Sequence, residues 1–162
     1  MTDRHGRAGA PRPGYLVVRV GEDGSYVGGL MVTDEHGLPL DFRYTDPITP
    51  TRLQKALYGG VLDRYLRSEI VLRTLLGALS EAPTLLLVED ERLLDEDLPG
   101  LPVAFVSVSR AGTLERRGAL QAEAEGVYLV QVTDAGSPLR VATDAGANGS
   151  ASAVADALVR LA

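Results

Sequence analysis

The 162-residue sequence contains no cysteine and no tryptophan. Without thiols, disulfides, zinc–thiolate sites, iron–sulfur clusters and thiol nucleophiles are excluded. Two Phe and six Tyr are the whole aromatic complement, so Leu, Val and Ala must build the core. Lysine is almost missing: Lys55 is the one lysine among sixteen basic residues. The bias toward arginine is that of a GC-rich genome, and it supplies planar forks suited to carboxylates and phosphates. No apolar run approaches the roughly 20 residues that a membrane helix needs, so no membrane partner is expected. The first 14 residues, MTDRHGRAGAPRPG, lack the apolar stretch of a secretion signal. With cysteine absent as well, the cytoplasm is the expected location. The Gly, Pro and Arg content of residues 1–14 reads as a disordered tail, leaving 15–162 as a single domain.

What is present is a globular mixture, 45% hydrophobic and 23% charged, with a net charge of −6. Acidity of that size argues against nucleic acid as a partner. It is concentrated in residues 89–97, where six acids face Arg92 alone, while the rest of the chain has sixteen acids against fifteen bases.

Hydrophobic periodicity gives an α/β order. Tyr15–Val20 and Tyr26–Thr33 flank Glu22-Asp23-Gly24, a hairpin signal. The paired Gly28-Gly29 inside the second run suggests a bulge or a close approach by another backbone. Leu40–Tyr44 alternates with period two, the pattern of a half-buried strand. These three strands form an antiparallel meander. Thr49 or Thr51 caps a short helix ending at Gly59-Gly60, and a longer helix spans roughly 61–79. Thr84–Val88 and Val103–Val108 read as buried strands in a parallel pair, separated by the acidic segment. Residues 113–125 have moderate helix propensity. A second hairpin joins Val127–Thr133 to Leu139–Thr143, and a final helix begins at Ser150 or Ser152. One mixed sheet with helices packed on it is expected.

Over residues 15–108 this βββαβαβ order resembles that of the ribonuclease H-like superfamily. The resemblance implies divalent metals held between acids, one inside the first strand and one after the fourth. Glu89 and Asp90 stand where the acid after the fourth strand belongs, and Asp156 or Glu69 would be helical ligands. Mg²⁺ would be the cofactor of such a site. The first strand, YLVVRV, departs from the pattern: it has no acid, and its polar residue is Arg19, which repels a cation.

Other constellations are sparse. Of the two histidines, His5 lies in the tail. His36 stands in a turn beside Asp34 and Glu35, with Gly37 expected to supply a positive φ. Neither histidine has a partner at metal-ligand spacing. The glycine-rich DAGANGSAS before the last helix suits a phosphate only loosely, lacking the P-loop lysine. Arg64, Arg67 and Arg73 share part of the long helix and form a candidate binding set for an anion or for a partner's acids. With no converging reactive side chains, the expectation is a non-catalytic accessory protein without a cofactor, acting through protein–protein contacts or self-association. The meander edge around 26–44, the long helix and the acidic loop would be its surfaces. The alternatives are a metal-dependent nuclease of ribonuclease H-like type, with Glu89 and Asp90 as ligands, and a small-molecule or nucleotide sensor.

Overall fold

A computed structural model describes residues 9–94, 96, 98–143 and 150–162. Within them one eight-stranded sheet runs in the order β3-β2-β1-β4-β5-β8-β7-β6. The meander consists of β1 (Pro13–Val20), β2 (Tyr26–Thr33) and β3 (Pro39–Tyr44), all antiparallel. β4 (Leu85–Val88) lies parallel to β1, and β5 (Val103–Val108) parallel to β4. β8 (Leu139–Thr143) pairs antiparallel with β5 and with β7 (Val127–Val130), and β6 (Leu120–Ala124) closes the far edge. The expected mixed α/β sheet is therefore present. β1 starts at Pro13, inside the stretch read as a tail; residues 1–8 of that tail lie outside the described residues, as does the 144–149 loop.

The helix propensity of residues 113–125 is overridden. Leu120–Ala124 is a strand paired with Val127–Val130, because Gly126 adopts φ +69° and turns the chain back on itself. A hairpin partner within reach outweighs a weak local preference.

Each face of the sheet has its own core. α1 (Arg52–Tyr58) starts at Thr51, which accepts from the Gln54 backbone N–H while the Gln54 side chain accepts from Thr51 N–H; this is a capping box. The long helix is a composite of α2 (Leu62–Tyr65), a π-helical segment (Leu66–Leu72) and α3 (Arg73–Ala78). Its Leu66, Val71, Leu72 and Leu75 pack on Leu16, Val18, Leu30, Leu86 and Val88. On the opposite face α4 (Ser150–Leu161) sets Val154, Ala157 and Leu158 against Leu85, Leu87, Ala104 and Val141. β4 thus alternates strictly, with Leu85 and Leu87 toward α4 and Leu86 and Val88 toward the composite helix. That explains its unbroken apolar sequence.

Gly28 marks the close approach that its sequence context suggests. A Cβ there would overlap the Val71 side chain, with Leu75 Cδ1 only 3.2 Å away. Bare backbone at this point lets the π-helical segment settle onto β2.

β3 is half-covered, as its period-two alternation suggests, and the structure decides which face is covered. Its polar side is turned inward: the Asp41 carboxylate accepts from the backbone N–H groups of Ser80 and Glu81, and Arg43 donates to Ser80 Oγ. Leu40, Phe42 and Tyr44 face solvent, with Phe42 55% and Tyr44 70% exposed. The backbone N–H groups of Ser80 and Glu81, in the segment that follows α3, need acceptors, and the alternation of β3 delivers Asp41 to them. The apolar side is left uncovered as a result.

Gly28→Ala is expected to cost about 1–3 kcal/mol by overpacking. Urea denaturation should show the loss shrinking in a Val71→Ala background, where the colliding methyl is gone.

Candidate functional site

β1 and β4 are parallel and paired from Pro13–Leu85 to Leu16–Val88, so the last residues of β1, as far as Val20, run alongside the segment that leaves β4. Strand alternation carried past Val88 sends Glu89 toward the α4 side and Asp90 toward the composite helix. The two consecutive acids therefore meet different partners. Glu89 Oε2 accepts from Arg19 Nη2 at 2.9 Å, and both side chains are largely exposed. Asp90 enters a partly buried network.

That network is built around Arg67, whose side chain is only 9% exposed. Its Nε donates to both carboxylate oxygens of Asp63 at 3.0 Å, and its Nη1 donates to Asp90 Oδ2 at 2.9 Å. Arg92 closes the square, with Nε on Asp90 Oδ1 at 2.9 Å and Nη1 on Asp63 Oδ2 at 2.6 Å. The Tyr26 hydroxyl donates to Asp63 Oδ1 at 2.9 Å. The Arg67 guanidinium also lies 5.6 Å from the centroid of the Tyr26 ring, a cation–π contact. Burial pushes the Asp63 carboxyl upward. Hydrogen bonds from Tyr26 and Arg67 and the charges of Arg67 and Arg92 outweigh it, leaving Asp63 below the usual carboxylate range. Burial raises the Tyr26 phenol, and its bond to Asp63 raises it further. Together these strand ends border a cleft of about 300 Å³ lined by Arg19, Arg67, Glu89, Asp90, Arg92 and Phe105, among others.

The candidate arginines do not form one set. Arg67 belongs to this network, whereas Arg64 and Arg73 reach the buried Glu96 at 3.6 Å each, and Arg73 also bonds Glu69. The acidic segment is accordingly not a bare negative patch: Glu89, Asp90 and Glu96 each face at least one guanidinium. Asp95 and Asp97 lie outside the described residues, as does the glycine-rich stretch 144–149. His36 sits on the β2–β3 turn, its backbone N–H bonded to Asp34 Oδ1, and Gly37 beside it takes the expected positive φ of +84°.

The residues do not fit a divalent cation. Glu89 and Asp90 are directed to different arginines. No group of three or more His, Asp or Glu side chains among the described residues could hold a metal. Arg19 occupies the β1 end where a metal site needs an acid, and a fixed positive charge there opposes a second one. The sequence singles out Arg19 only as a departure from a metal site and Asp63 only as an acid on the helix face beside the arginines, and it gives Tyr26 no role. The available signal was Arg92, a single base within an acidic run.

No protein-family model matches the sequence, and no curated protein matches it. Solved structures do. Endonuclease V from Streptomyces avermitilis superposes with a TM-score of 0.53 at 18% identity, over 83% of this chain and 66% of that one. Endonuclease V from Bacillus subtilis gives 0.53 at 11% identity, over 93% and 69%.

The fold is ribonuclease H-like.

A Ciona intestinalis Endonuclease V bound to a 24mer DNA is a further match, with a TM-score of 0.46 at 10% identity. The chain spans about two thirds of the length of these endonucleases. These findings correct two expectations. An accessory protein working through protein–protein contacts is not what this ribonuclease H-like fold points to, since the structures sharing it are nucleases. The objection to nucleic acid also falls. It rested on the total charge of −6, which does not say where the charges lie, and the side chains of Arg19 and Arg92 are exposed at the strand ends. Among the described residues no helix is long and apolar enough to cross a membrane.

Asp63→Asn should lower stability by about 1–3 kcal/mol at pH 7, because it leaves Arg67 partly unpaired. The folded-state carboxyl titrates lower than the unfolded one, near 3.9. Its contribution is thus complete above that value and lost as pH falls through the folded value. Urea unfolding should show wild type and variant converging in acid.

Proposed function

We propose that this ribonuclease H-like chain acts on nucleic acid, gripping the phosphodiester backbone at the C-terminal ends of β1 and β4. The observation that carries this reading is the pair of exposed guanidinium groups, Arg19 and Arg92, at the mouth of the strand-end cleft. Open α/β sheets take ligands at the C-terminal ends of their strands. In the ribonuclease H-like superfamily that the element order resembles, working acids come from inside the first strand and after the fourth, which supports a site in this region. Guanidinium forks match phosphate oxygens in shape and charge. Exposed ion pairs contribute at most about 1 kcal/mol, so a phosphate can take Arg19 from Glu89 at little cost. Arg67 is different: buried and held by two carboxylates, it sets the floor of the cleft and stays in place.

Hydrolysis of the bound strand is a second reading, favoured by the fold shared with Endonuclease V. A phosphate that draws Arg19 away leaves the Glu89 carboxylate free to take a proton from a water that adds to phosphorus; one P–O ester bond breaks, and the leaving oxygen is protonated by solvent. The donor set among the described residues does not fit a metal ion.

Fluorescence anisotropy with labelled single- and double-stranded DNA and RNA tests the first reading. Arg19→Ala with Arg92→Ala should weaken binding about 10-fold or more and reduce the salt slope by about 2. No binding even at low salt would end it. For the second reading, strand cleavage is followed with and without Mg²⁺ or Mn²⁺. Glu89→Gln should abolish cleavage and leave binding in place.

A further inference from the structure

The outward side of the meander is a row structure set by strand register. Val17, Gly29 and Tyr44 form one row across β1, β2 and β3, and Tyr15, Met31 and Phe42 form the next. Arg19 stands opposite Val27 at the end nearest the strand-end cleft. Phe42 and Tyr44 are stacked, with centroids 6.0 Å apart and planes inclined by 28°. Gly29 contributes no side chain, and the Phe42 ring edge passes 3.6 Å from where its Cβ would stand. The result is a shallow groove of about 410 Å³ whose lining is almost entirely apolar and holds one charged residue, Arg19. α4 covers the neighbouring part of this face and touches the β2–β3 turn through Arg160 and Glu35, but Phe42 and Tyr44 remain open to solvent.

We infer that this aromatic face is a stacking platform for the unpaired bases of a single nucleic-acid strand whose phosphate is held at Arg19. The inference rests on the proposed nucleic-acid reading and deepens it. Three features select this occupant. First, Arg19 lines both the strand-end cleft and the groove, so a strand bound at the first continues over the second. Second, the groove is uncharged apart from that guanidinium, as suits base faces that carry no charge beside a backbone that does. Third, its exposed rings are flat and mutually stacked, and bases stack on such rings without regard to sequence. A duplex keeps its base faces inside the helix and cannot use the platform. The polar side of β3 is committed to Ser80 and Glu81, so the aromatic side is fixed outward in the folded chain rather than exposed by a loose strand.

The test compares labelled oligothymidylate with a blunt duplex of equal length, by anisotropy. Phe42→Ala with Tyr44→Ala should weaken single-strand binding at least about 10-fold, since each ring is worth about 5-fold or more, and leave duplex binding unchanged. With Tyr44→Ala in place, Phe42→Trp should bind the single strand more tightly than Phe42→Ala does. Thermal melting checks the fold, which these exposed side chains should not disturb. Equal affinity of the double variant and wild type for the single strand would overturn the platform while leaving the Arg19 and Arg92 site standing. Loss of both strand types together would assign the effect to the fold and also overturn it. A concentration-dependent dimer in light scattering that dissociates in the double variant, without a change in single-strand binding, would make the face an interface between copies instead. If neither nucleic acid binds wild type, the underlying reading fails first.

Discussion

The Arg67 guanidinium joins the composite helix to the end of β4. It is buried, and a buried cation without partners is untenable. Asp63, four residues earlier on the same helical rod, and Asp90, just beyond β4, supply the two carboxylates it needs. The helix face and the strand end are thereby held at one spacing. The π-helical segment contains Arg67 and also presents Val71 to the bare backbone of Gly28, so one stretch of chain fixes both the polar corner and the apolar floor. Replacing one partner leaves a charge stranded, whereas the complete square with Arg92 and Tyr26 is self-consistent.

This constraint governs what the strand ends can do. With Asp90 pulled inward by Arg67 and Arg92, Glu89 is left on the other side, paired with Arg19. The ribonuclease H-like frame is retained, yet its strand ends present arginines and neutralised acids in place of a gathered set of carboxylates. The change follows from one residue type at the end of β1 and from the alternation of two consecutive acids. The same alternation, running through β3, pins Asp41 beneath the end of α3 and puts Phe42 and Tyr44 outside. Polar satisfaction on one side of the meander thus creates the apolar surface on the other.

Much of the architecture was legible in residue pattern. The hairpin turns at Asp23-Gly24 and Gly37, the Thr51 cap, the unbroken apolar β4 and the amphipathic last helix all follow from local rules that the structure obeys. The helix suggested for 113–125 was misread because hairpin pairing across Gly126 outweighed a small propensity. The apolar side of β3 was assigned to no particular surface by its alternation: period two shows that a strand has two unlike faces, but which one is covered depends on what lies beneath it. The candidate site was only half visible. Arg67, Glu89 and Asp90 were singled out, but as members of other groupings, since a sequence shows spacing along the chain and not which carboxylate meets which guanidinium.

The sequence by itself determined the mixed α/β class, the order of elements apart from β6, the exclusion of thiol chemistry and the lack of an acid in the first strand. These depend on composition and on short-range periodicity. Only the tertiary structure decided that Asp63, Arg67, Asp90 and Arg92 converge, that Arg19 answers Glu89, and that the aromatic side of β3 faces solvent. Each of those pairings joins residues brought together by strand register or helix docking, and a one-residue shift in either would give every one of these side chains a different neighbour.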